Sequence, residues 1–323
     1  MGSVDDSGGA SVSRPPGPAL AVSVAGICCA NPVWTASGCG NYGRELGALF
    51  PLAGLGAIVV KGTSPEPWGG NPGPRLAETA AGMLNAIGLQ NPGIRHFLEV
   101  DLPYLVGERA RVVANIVGRT VDEYAAVARR LGEAPAGAIA GVELNISCPN
   151  VKEGGIQFGN DLGAAREVTA AVRASTRLPL LVKLSPNVTD VRAFAAAVVE
   201  AGADAISLIN TLVGMRLDAR KRAPVLANTT GGLSGPAIKP IALRMVWEVA
   251  GAVDVPVVGI GGIETGEDAA EFLLAGARAV QVGTAIFRDP WAPIRIRDEL
   301  SAWLAAQGVA DVGDIVGAAR PRA

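Results

Sequence analysis

Short apolar runs rich in β-branched residues recur along the chain, and each later one is followed by a segment with apolar residues at helical spacing. Runs of this length, bounded by Gly, Pro, Asn or Asp, are typical of buried strands. We predict strands at Pro32–Ala36, Ala57–Lys61, Arg111–Val117, Gly141–Ile146, Leu180–Leu184, Ala205–Asn210, Val255–Ile260 and Ala279–Gly283. The Ala-rich segments between them predict helices at Val121–Leu131, Asp161–Thr176, Val191–Ala201, Pro236–Ala250 and Glu267–Ala275.

About eight strands alternating with helices is the number that closes a parallel barrel. The competing architecture is an open doubly wound sheet, but no Gly-x-Gly-x-x-Gly turn follows an early strand. We therefore predict an α/β fold, a (β/α)8 TIM barrel forming a single domain over residues 21–323. Residues 1–20 are rich in Gly, Ser, Pro and Asp and predict a disordered tail without the features of a signal peptide.

Composition and charge narrow the possible functions. Apolar residues make up 49% of the chain and charged residues 18%, which indicates a large core. The net charge of -2 indicates neither a nucleic-acid surface nor a polybasic membrane anchor, and no apolar run is long enough to span a membrane. The four cysteines lack zinc or iron–sulfur spacing, and the single His96 has no companion ligand. We expect a soluble cytoplasmic protein that holds no metal.

Polar residues and glycines stand at the ends of all the predicted strands. In a parallel barrel the chemistry lies at the carboxyl ends of the strands, so these residues should face one site. They are Ser37, Lys61, Asn115, Asn145, Cys148, Lys183, Asn210, Thr211, Gly261, Gly262, Gly283 and Thr284. Packing alone does not explain polar residues at the end of so many strands, and we predict one site at this rim.

The turn after the fourth predicted strand reads Asn145-Ile146-Ser147-Cys148-Pro149-Asn150. A thiol between two amide side chains can remove a proton from a substrate that the amides orient. The alternative is that Cys148 is a small buried hydrophobic residue, as free cysteines often are. The rest of the rim supports the catalytic interpretation.

Glycines after the last two strands indicate a phosphate site. Gly261 and Gly262 follow the seventh strand, Gly283 and Thr284 follow the eighth, and in barrels these two loops commonly bind the phosphate of a ligand. Glycine could also serve only to permit a tight turn. Lys61 and Lys183 at inward strand ends suit an anion, and a reduced flavin bears negative charge near N1. Flavin mononucleotide (FMN) would satisfy both features.

Several longer motifs stand in a fixed order along the chain. They are Ala36-Ser37-Gly38-Cys39, Val59-Val60-Lys61-Gly62-Thr63, Asn71-Pro72-x-Pro74-Arg75, Asn85-Ala86-Ile87-Gly88-Leu89-Gln90-Asn91-Pro92-Gly93, Asn145-Ile146-Ser147-Cys148-Pro149-Asn150, Lys183-Leu184-Ser185-Pro186-Asn187, Ile209-Asn210-Thr211 and Gly232-Leu233-Ser234-Gly235-Pro236. With these motifs the chain resembles the class 1 dihydroorotate dehydrogenases, and more narrowly the catalytic subunit of the NAD-dependent class 1B. The resemblance runs from about Val22 to the carboxyl terminus.

This resemblance implies an FMN-dependent oxidoreductase acting on a CH–CH group, which oxidises (S)-dihydroorotate to orotate in pyrimidine (UMP) biosynthesis. Cys148 corresponds to the base that takes the C5 proton. The resemblance assigns substrate binding to Lys61, Asn85, Ala86, Ile87, Gly88, Leu89, Asn145, Asn150, Asn210 and Thr211. It assigns FMN binding to Ser37, Lys61, Gly62, Asn115, Asn145, Lys183, Ile209, Gly235, Gly261, Gly262, Gly283 and Thr284.

The resemblance also implies a partner subunit that carries FAD and a [2Fe–2S] cluster and passes electrons to NAD, and a homodimer within a heterotetramer. Two related activities stay open: a fumarate-dependent class 1A enzyme and a dihydropyrimidine dehydrogenase-like flavoenzyme. A barrel that binds a phosphorylated ligand without turnover is the alternative from another class. The membrane-bound, quinone-linked enzymes are disfavoured because they carry serine at the base position.

Overall fold

A computed structural model describes residues 17–146 and 158–321. Numbered along the chain, its strands are β1 (Val22–Val24), β2 (Ile27–Cys29), β3 (Val33–Thr35), β4 (Ala57–Val59), β5 (Leu76–Thr79), β6 (Gly82–Asn85), β7 (Val112–Ile116), β8 (Gly141–Asn145), β9 (Leu180–Lys183), β10 (Ala205–Leu208), β11 (Leu212–Met215), β12 (Leu217–Asp218), β13 (Ala223–Pro224), β14 (Thr230–Ser234), β15 (Val257–Ile260) and β16 (Ala277–Val282). The α-helices are α1 (Arg44–Gly47), α2 (Gly93–His96), α3 (Leu102–Gly107), α4 (Val121–Gly132), α5 (Leu162–Ser175), α6 (Val191–Glu200), α7 (Lys239–Ala250), α8 (Gly266–Ala275), α9 (Ala285–Arg288) and α10 (Ala292–Ala306).

Eight parallel strands close into a barrel in the order β3-β4-β7-β8-β9-β10-β15-β16. All eight predicted strands lie in it, so the prediction of a (β/α)8 barrel is confirmed. Each end differs from its predicted bound by at most two residues; the last strand, for example, begins at Ala277 rather than Ala279. The strands are buried on both faces, which explains why they stand out in the sequence as nearly continuous apolar runs.

Five of the helices follow the predicted segments, and side-chain caps fix where several of them begin. Thr120 accepts a hydrogen bond from the backbone of Glu123 at the start of α4, and Asp161 does the same for Ala164 at the start of α5. Thr265 and Asp268 form a capping box at α8. Such caps satisfy backbone N–H groups that have no partner inside the helix, which is why Thr and Asp marked these starts in the sequence.

Several elements outside the barrel were not predicted. Strands β1 and β2 form an antiparallel hairpin, and β12 and β13 form another. A four-stranded sheet has the order β11-β14-β6-β5, and its strands are drawn from two distant stretches of the chain. Helix α10 packs against α8 and against β3. The four-stranded sheet matters for the site because β6 ends at Asn85 and β14 ends at Ser234, both of which line the cavity described below.

The terminal segments lie partly outside the described residues. Of the predicted tail, only residues 17–20 are described, and within them Ala19 pairs with Asp311 through backbone hydrogen bonds to Ala310 and from Val312. In the part of the chain that the structure describes, no helix combines the length and apolar character needed to cross a membrane. The same residues contain no group of three or more His, Cys, Asp or Glu side chains arranged for a metal ion.

Candidate active site

A cavity of about 510 Å³ opens at the carboxyl ends of the barrel strands. Its volume is that of a site for a ligand of cofactor size. Among the residues that line it are nearly all those predicted from the sequence: Ser37, Lys61, Gly62, Asn85, Ile87, Gly88, Leu89, Asn115, Asn145, Lys183, Ile209, Asn210, Thr211, Gly235, Gly261, Gly262, Gly283 and Thr284. The loops thus bring together residues that lie as far apart in sequence as Ser37 and Thr284.

Three predicted residues remain. Cys148 and Asn150 lie outside the described residues, and Ala86 is described but does not line the cavity. Ala86 is 1% exposed and belongs to a small apolar cluster with Leu84 and Leu226. Its neighbours Asn85 and Ile87 line the cavity instead. The extended backbone accounts for this, because successive residues of such a segment point to opposite sides.

One end of the cavity is formed by glycine backbone. Gly261 and Gly262 have φ angles of 129° and 73°, and Gly235 opposite them has a φ of 98°. A Cβ atom at Gly262 would lie 2.8 Å from Cβ of Lys239 and 2.9 Å from the carbonyl oxygen of Gly235. Both the backbone conformation and the close approach therefore require glycine. Thr284 Oγ1 donates to Ser234 Oγ at 2.8 Å, and both residues line the cavity, so two hydroxyl groups lie beside this glycine backbone.

The floor of the cavity carries the ammonium group of Lys183. Its Nζ donates to Ser37 Oγ at 3.1 Å and lies 3.9 Å from Glu143 Oε1, while its side chain is 5% exposed. A cation so deeply buried requires an anionic partner. Glu143, which is fully buried on β8, provides it inside the barrel.

Asn115 lines the same cavity and carries a buried acceptor. Its Nδ2 donates to Glu143 Oε1 at 2.7 Å, which fixes the orientation of the amide. Among the described residues, no donor reaches the buried Asn115 Oδ1. Buried polar atoms are nearly always hydrogen-bonded, so this oxygen is suited to a donor on a ligand.

Amide side chains cross the mouth between β8 and β10. Asn210 Nδ2 donates to Asn145 Oδ1 at 3.4 Å, and Asn210 Oδ1 accepts from the backbone N–H of Thr211. Asn187 reaches the same loop, since its Nδ2 donates to the carbonyl oxygen of Thr211 at 3.0 Å. The hydroxyl of Tyr124 donates to the backbone oxygen of Asn145 and holds the end of the strand from below. A row of this kind suits a ring that alternates donors and acceptors.

The segment from Asn85 to Leu89 is held over the cavity by the loop before β5. Asn71 Nδ2 donates to the carbonyl oxygen of Ala86 at 3.0 Å, and Arg75 Nη1 donates to Gln90 Oε1 at 2.9 Å. Gly88 has a φ of 73°, and a Cβ atom there would meet the Asn71 side chain at 2.6 Å. The motif around Asn71 and Arg75 therefore shapes the segment that was predicted to bind substrate.

Two ionisable groups at the cavity have shifted pKa values. Burial lowers the pKa of Lys61, and the nearby Arg75 guanidinium lowers it further. Burial raises the pKa of the Cys39 thiol to about 11, although Lys183 and Lys61 oppose the shift. Cys39 lines the cavity but stays a protonated thiol at neutral pH, which makes it unsuited to accept a proton.

Several residues that shape this site were not predicted from the sequence. Arg75 and Gln90 line the cavity, and Glu143 lies directly beneath it with Ser207 and Gln281. The signal for Glu143 was present: it stands two residues before Asn145 in a strand, so both side chains point to the same face. Ser207 and Gln281 gave a weaker signal of the same kind, as single polar residues within apolar strands.

Comparison with known proteins agrees with this geometry. A family model described as "Dihydroorotate dehydrogenase" matches residues 19–304. A protein of Geotalea uraniireducens named "Dihydroorotate dehydrogenase B (NAD(+)), catalytic subunit" is 58% identical over 301 residues, covering 93% of this chain and 98% of the relative. Proteins with the same name from Geobacter sulfurreducens (58% identical, 93% and 98% covered) and Alkaliphilus metalliredigens (53% identical, 92% and 98% covered) are similar over the same extent.

Proposed function

Since the chain belongs to the dihydroorotate dehydrogenase family, we propose that it oxidises (S)-dihydroorotate to orotate in pyrimidine biosynthesis, and that the reaction takes place in the cavity at the mouth of the barrel. The chain is an NAD-dependent oxidoreductase in this proposal, acting as the catalytic subunit. The observation that carries it is the match of 58% identity over 93% of the chain to a relative with that name. The polar residues that face the cavity support it independently.

The residues of the cavity fit FMN as the cofactor. The end formed by Gly235, Gly261 and Gly262 suits a phosphate, because these glycines line the cavity without side chains and glycine loops of this kind commonly bind phosphate. Lys183 places a buried cation at the floor, and the unpaired Oδ1 of Asn115 suits a ring N–H. The remaining contacts proposed for FMN are Ser37, Lys61, Gly62, Asn145, Ile209, Gly283 and Thr284, all of which line the cavity.

When bound, FMN would accept the hydride that leaves C6 of dihydroorotate. The substrate would lie between the cofactor and the Cys148 turn, oriented by Asn145, Asn210 and Thr211 from one side. The segment of Asn85, Ile87, Gly88 and Leu89 would close over it, and Lys61 would neutralise its carboxylate. Cys148 takes the proton from C5, so that hydride and proton together leave the C5–C6 bond unsaturated. Asn150 completes the substrate contacts in this proposal.

Electrons would then leave through a second protein. The relatives are named as catalytic subunits, and we propose that this chain also works with a partner subunit, one that carries FAD and a [2Fe–2S] cluster and reduces NAD. A homodimer of this chain within a heterotetramer, located in the cytoplasm, completes the proposal. In this proposal, the substrate enters and the electrons leave through the same cavity at the carboxyl ends of the strands.

The experiment that tests the proposal is an anaerobic absorbance spectrum of the purified chain before and after addition of (S)-dihydroorotate. A flavin band that bleaches is the expected result. A flavin band that responds to dihydrouracil but not to dihydroorotate would instead identify a dihydropyrimidine dehydrogenase. Turnover of the isolated chain with fumarate would replace the NAD-linked assignment with a class 1A enzyme. A chain that takes up no flavin after reconstitution would refute the enzyme assignment altogether.

A further inference from the structure

Glu143 is a fully buried carboxylate in the interior of the barrel, below the cavity that it does not itself line. Asn115 Nδ2 donates to its Oε1 at 2.7 Å, while Ser207 Oγ and Gln281 Nε2 donate to its Oε2 at 2.9 Å and 2.7 Å. The Lys183 ammonium lies 3.9 Å from Oε1. Both oxygens are thus used as acceptors, as suits a carboxylate.

The position of Glu143 in the barrel is unusual. In the order of the closed sheet, β8, β10 and β16 are alternate strands, and alternate strands supply one layer of inward side chains. Bulky aliphatic residues normally fill such layers, whereas this one contains Glu143, Ser207 and Gln281. A buried charge destabilises a fold unless it is paired, so hydrophobic side chains would serve stability at least as well. The network is therefore better explained by what it does for the cavity.

The two partners of Oε1 are those that reach the cavity. Lys183 and Asn115 both line it, and each is tied to the same carboxylate oxygen. The carboxylate balances the charge of one and fixes the amide of the other, so that Asn115 Oδ1 points away from Glu143. Without the acceptor at Glu143, the Asn115 amide could reverse and present its NH2 group to the ligand.

We propose that Glu143 is a positioning residue for the cofactor site, which sets the net charge of the cavity floor through Lys183 and the orientation of the Asn115 amide. The inference rests on the proposed function, since it takes the ligand over this floor to be FMN. Reduced flavin carries more negative charge than oxidised flavin. The negative charge of Glu143, which offsets the positive charge of Lys183, should therefore weaken the binding of the reduced form relative to the oxidised form.

The test uses the full chain loaded with FMN and measures the dissociation constants of oxidised FMN and of dithionite-reduced FMN. Glu143→Gln removes the charge but keeps the shape, and the Ser207 hydroxyl and the Gln281 amide can both turn to accept its new donor. The matched control is Gln281→Met, which removes a neutral donor from the same carboxylate. We expect Glu143→Gln to raise the ratio of the oxidised to the reduced constant at least tenfold, about 30 mV in midpoint potential. The control should change that ratio less than threefold.

An unchanged or lowered ratio in Glu143→Gln, or an equal shift in Gln281→Met, would overturn the inference. If Glu143→Gln does not fold, the comparison is made between Lys183→Met and the double variant Lys183→Met with Glu143→Gln, where removal of the same negative charge should again raise the ratio tenfold. Because dithionite supplies the electrons, the measurement does not depend on the substrate. If dihydroorotate fails to reduce FMN bound to the wild-type chain, the proposed function is refuted, but the ratios of the dissociation constants can still be interpreted.

Discussion

Gly262→Ala should damage the cavity in a way that the structure makes quantitative. Gly262 has a φ of 73°, and the left-handed conformation costs a residue with a side chain about 1–2 kcal/mol. The new methyl group would also lie 2.8 Å from Lys239 Cβ and 2.9 Å from the carbonyl oxygen of Gly235. Neither atom is the flexible end of a side chain, so backbone must shift, and overpacking of this kind costs a further ~1–3 kcal/mol.

A matched variant separates the two contributions. Gly137 has a φ of 80°, close to that of Gly262, but nothing lies within 4 Å of its added Cβ atom. Gly137→Ala should therefore lose about 1–2 kcal/mol from backbone strain alone, whereas Gly262→Ala should lose about 2–5 kcal/mol. Urea unfolding of the two variants, followed by far-UV circular dichroism, measures these losses.

The same pair distinguishes stability from ligand binding. Since Gly262 lies at the end of the cavity proposed for the phosphate, its displacement should raise the FMN dissociation constant about tenfold or more, by loss of roughly 1.4 kcal/mol or more. Gly137→Ala should bind FMN as the wild type does. Equal stability losses in the two variants, or unchanged FMN affinity in Gly262→Ala, would show that the loop accommodates a side chain and that the reasoning is wrong.

Two further outcomes are expected. Cys148→Ala should slow flavin reduction by dihydroorotate at least ~100-fold in stopped flow while FMN stays bound, because a positioned base contributes about that much. The control Cys39→Ala should change the rate only a few-fold, since burial raises the pKa of that thiol to about 11. A large loss of rate in Cys39→Ala and a small one in Cys148→Ala would identify Cys39 as the base. Asp268→Asn should lower the free energy of unfolding at pH 7 by ~1–2 kcal/mol, because the Asp268 carboxylate caps helix α8. Burial raises the pKa of Asp268, but hydrogen bonds from Lys239 and from the backbone N–H of Thr265 outweigh this effect, and the pKa of Asp268 in the folded state is lowered. A lowered folded-state pKa stabilises above the unfolded value near 3.9. The difference between wild type and variant should therefore be constant above that pH, decline below it, and be lost as the pH falls through the lowered pKa of the folded state. A difference that does not decline below about pH 4 would rule out this origin.

The barrel could be predicted from the sequence because its strands are buried on both faces and stand out as apolar runs between polar turns. The outer sheet could not, because β6 and β14 contain glycines and become strands only by pairing across about 150 residues, as Gly232 does with Asn85. The cavity was largely predictable because most of its residues lie at or just after the ends of strands. Glu143, Ser207 and Gln281 were missed because they lie within strands, and only the closed barrel brings them into contact.

The closure of the barrel has a consequence for how the protein is made. The first barrel strand, β3, pairs with the last, β16, at Val33 with Val280 and at Thr35 with Val282. Ser37 and Thr284 both line the cavity, so the cavity cannot be complete until the ribosome has synthesised residue 284. The complete cavity can therefore form only after nearly the whole chain has been translated, and a product truncated before β16 would lack Gly283 and Thr284 from it.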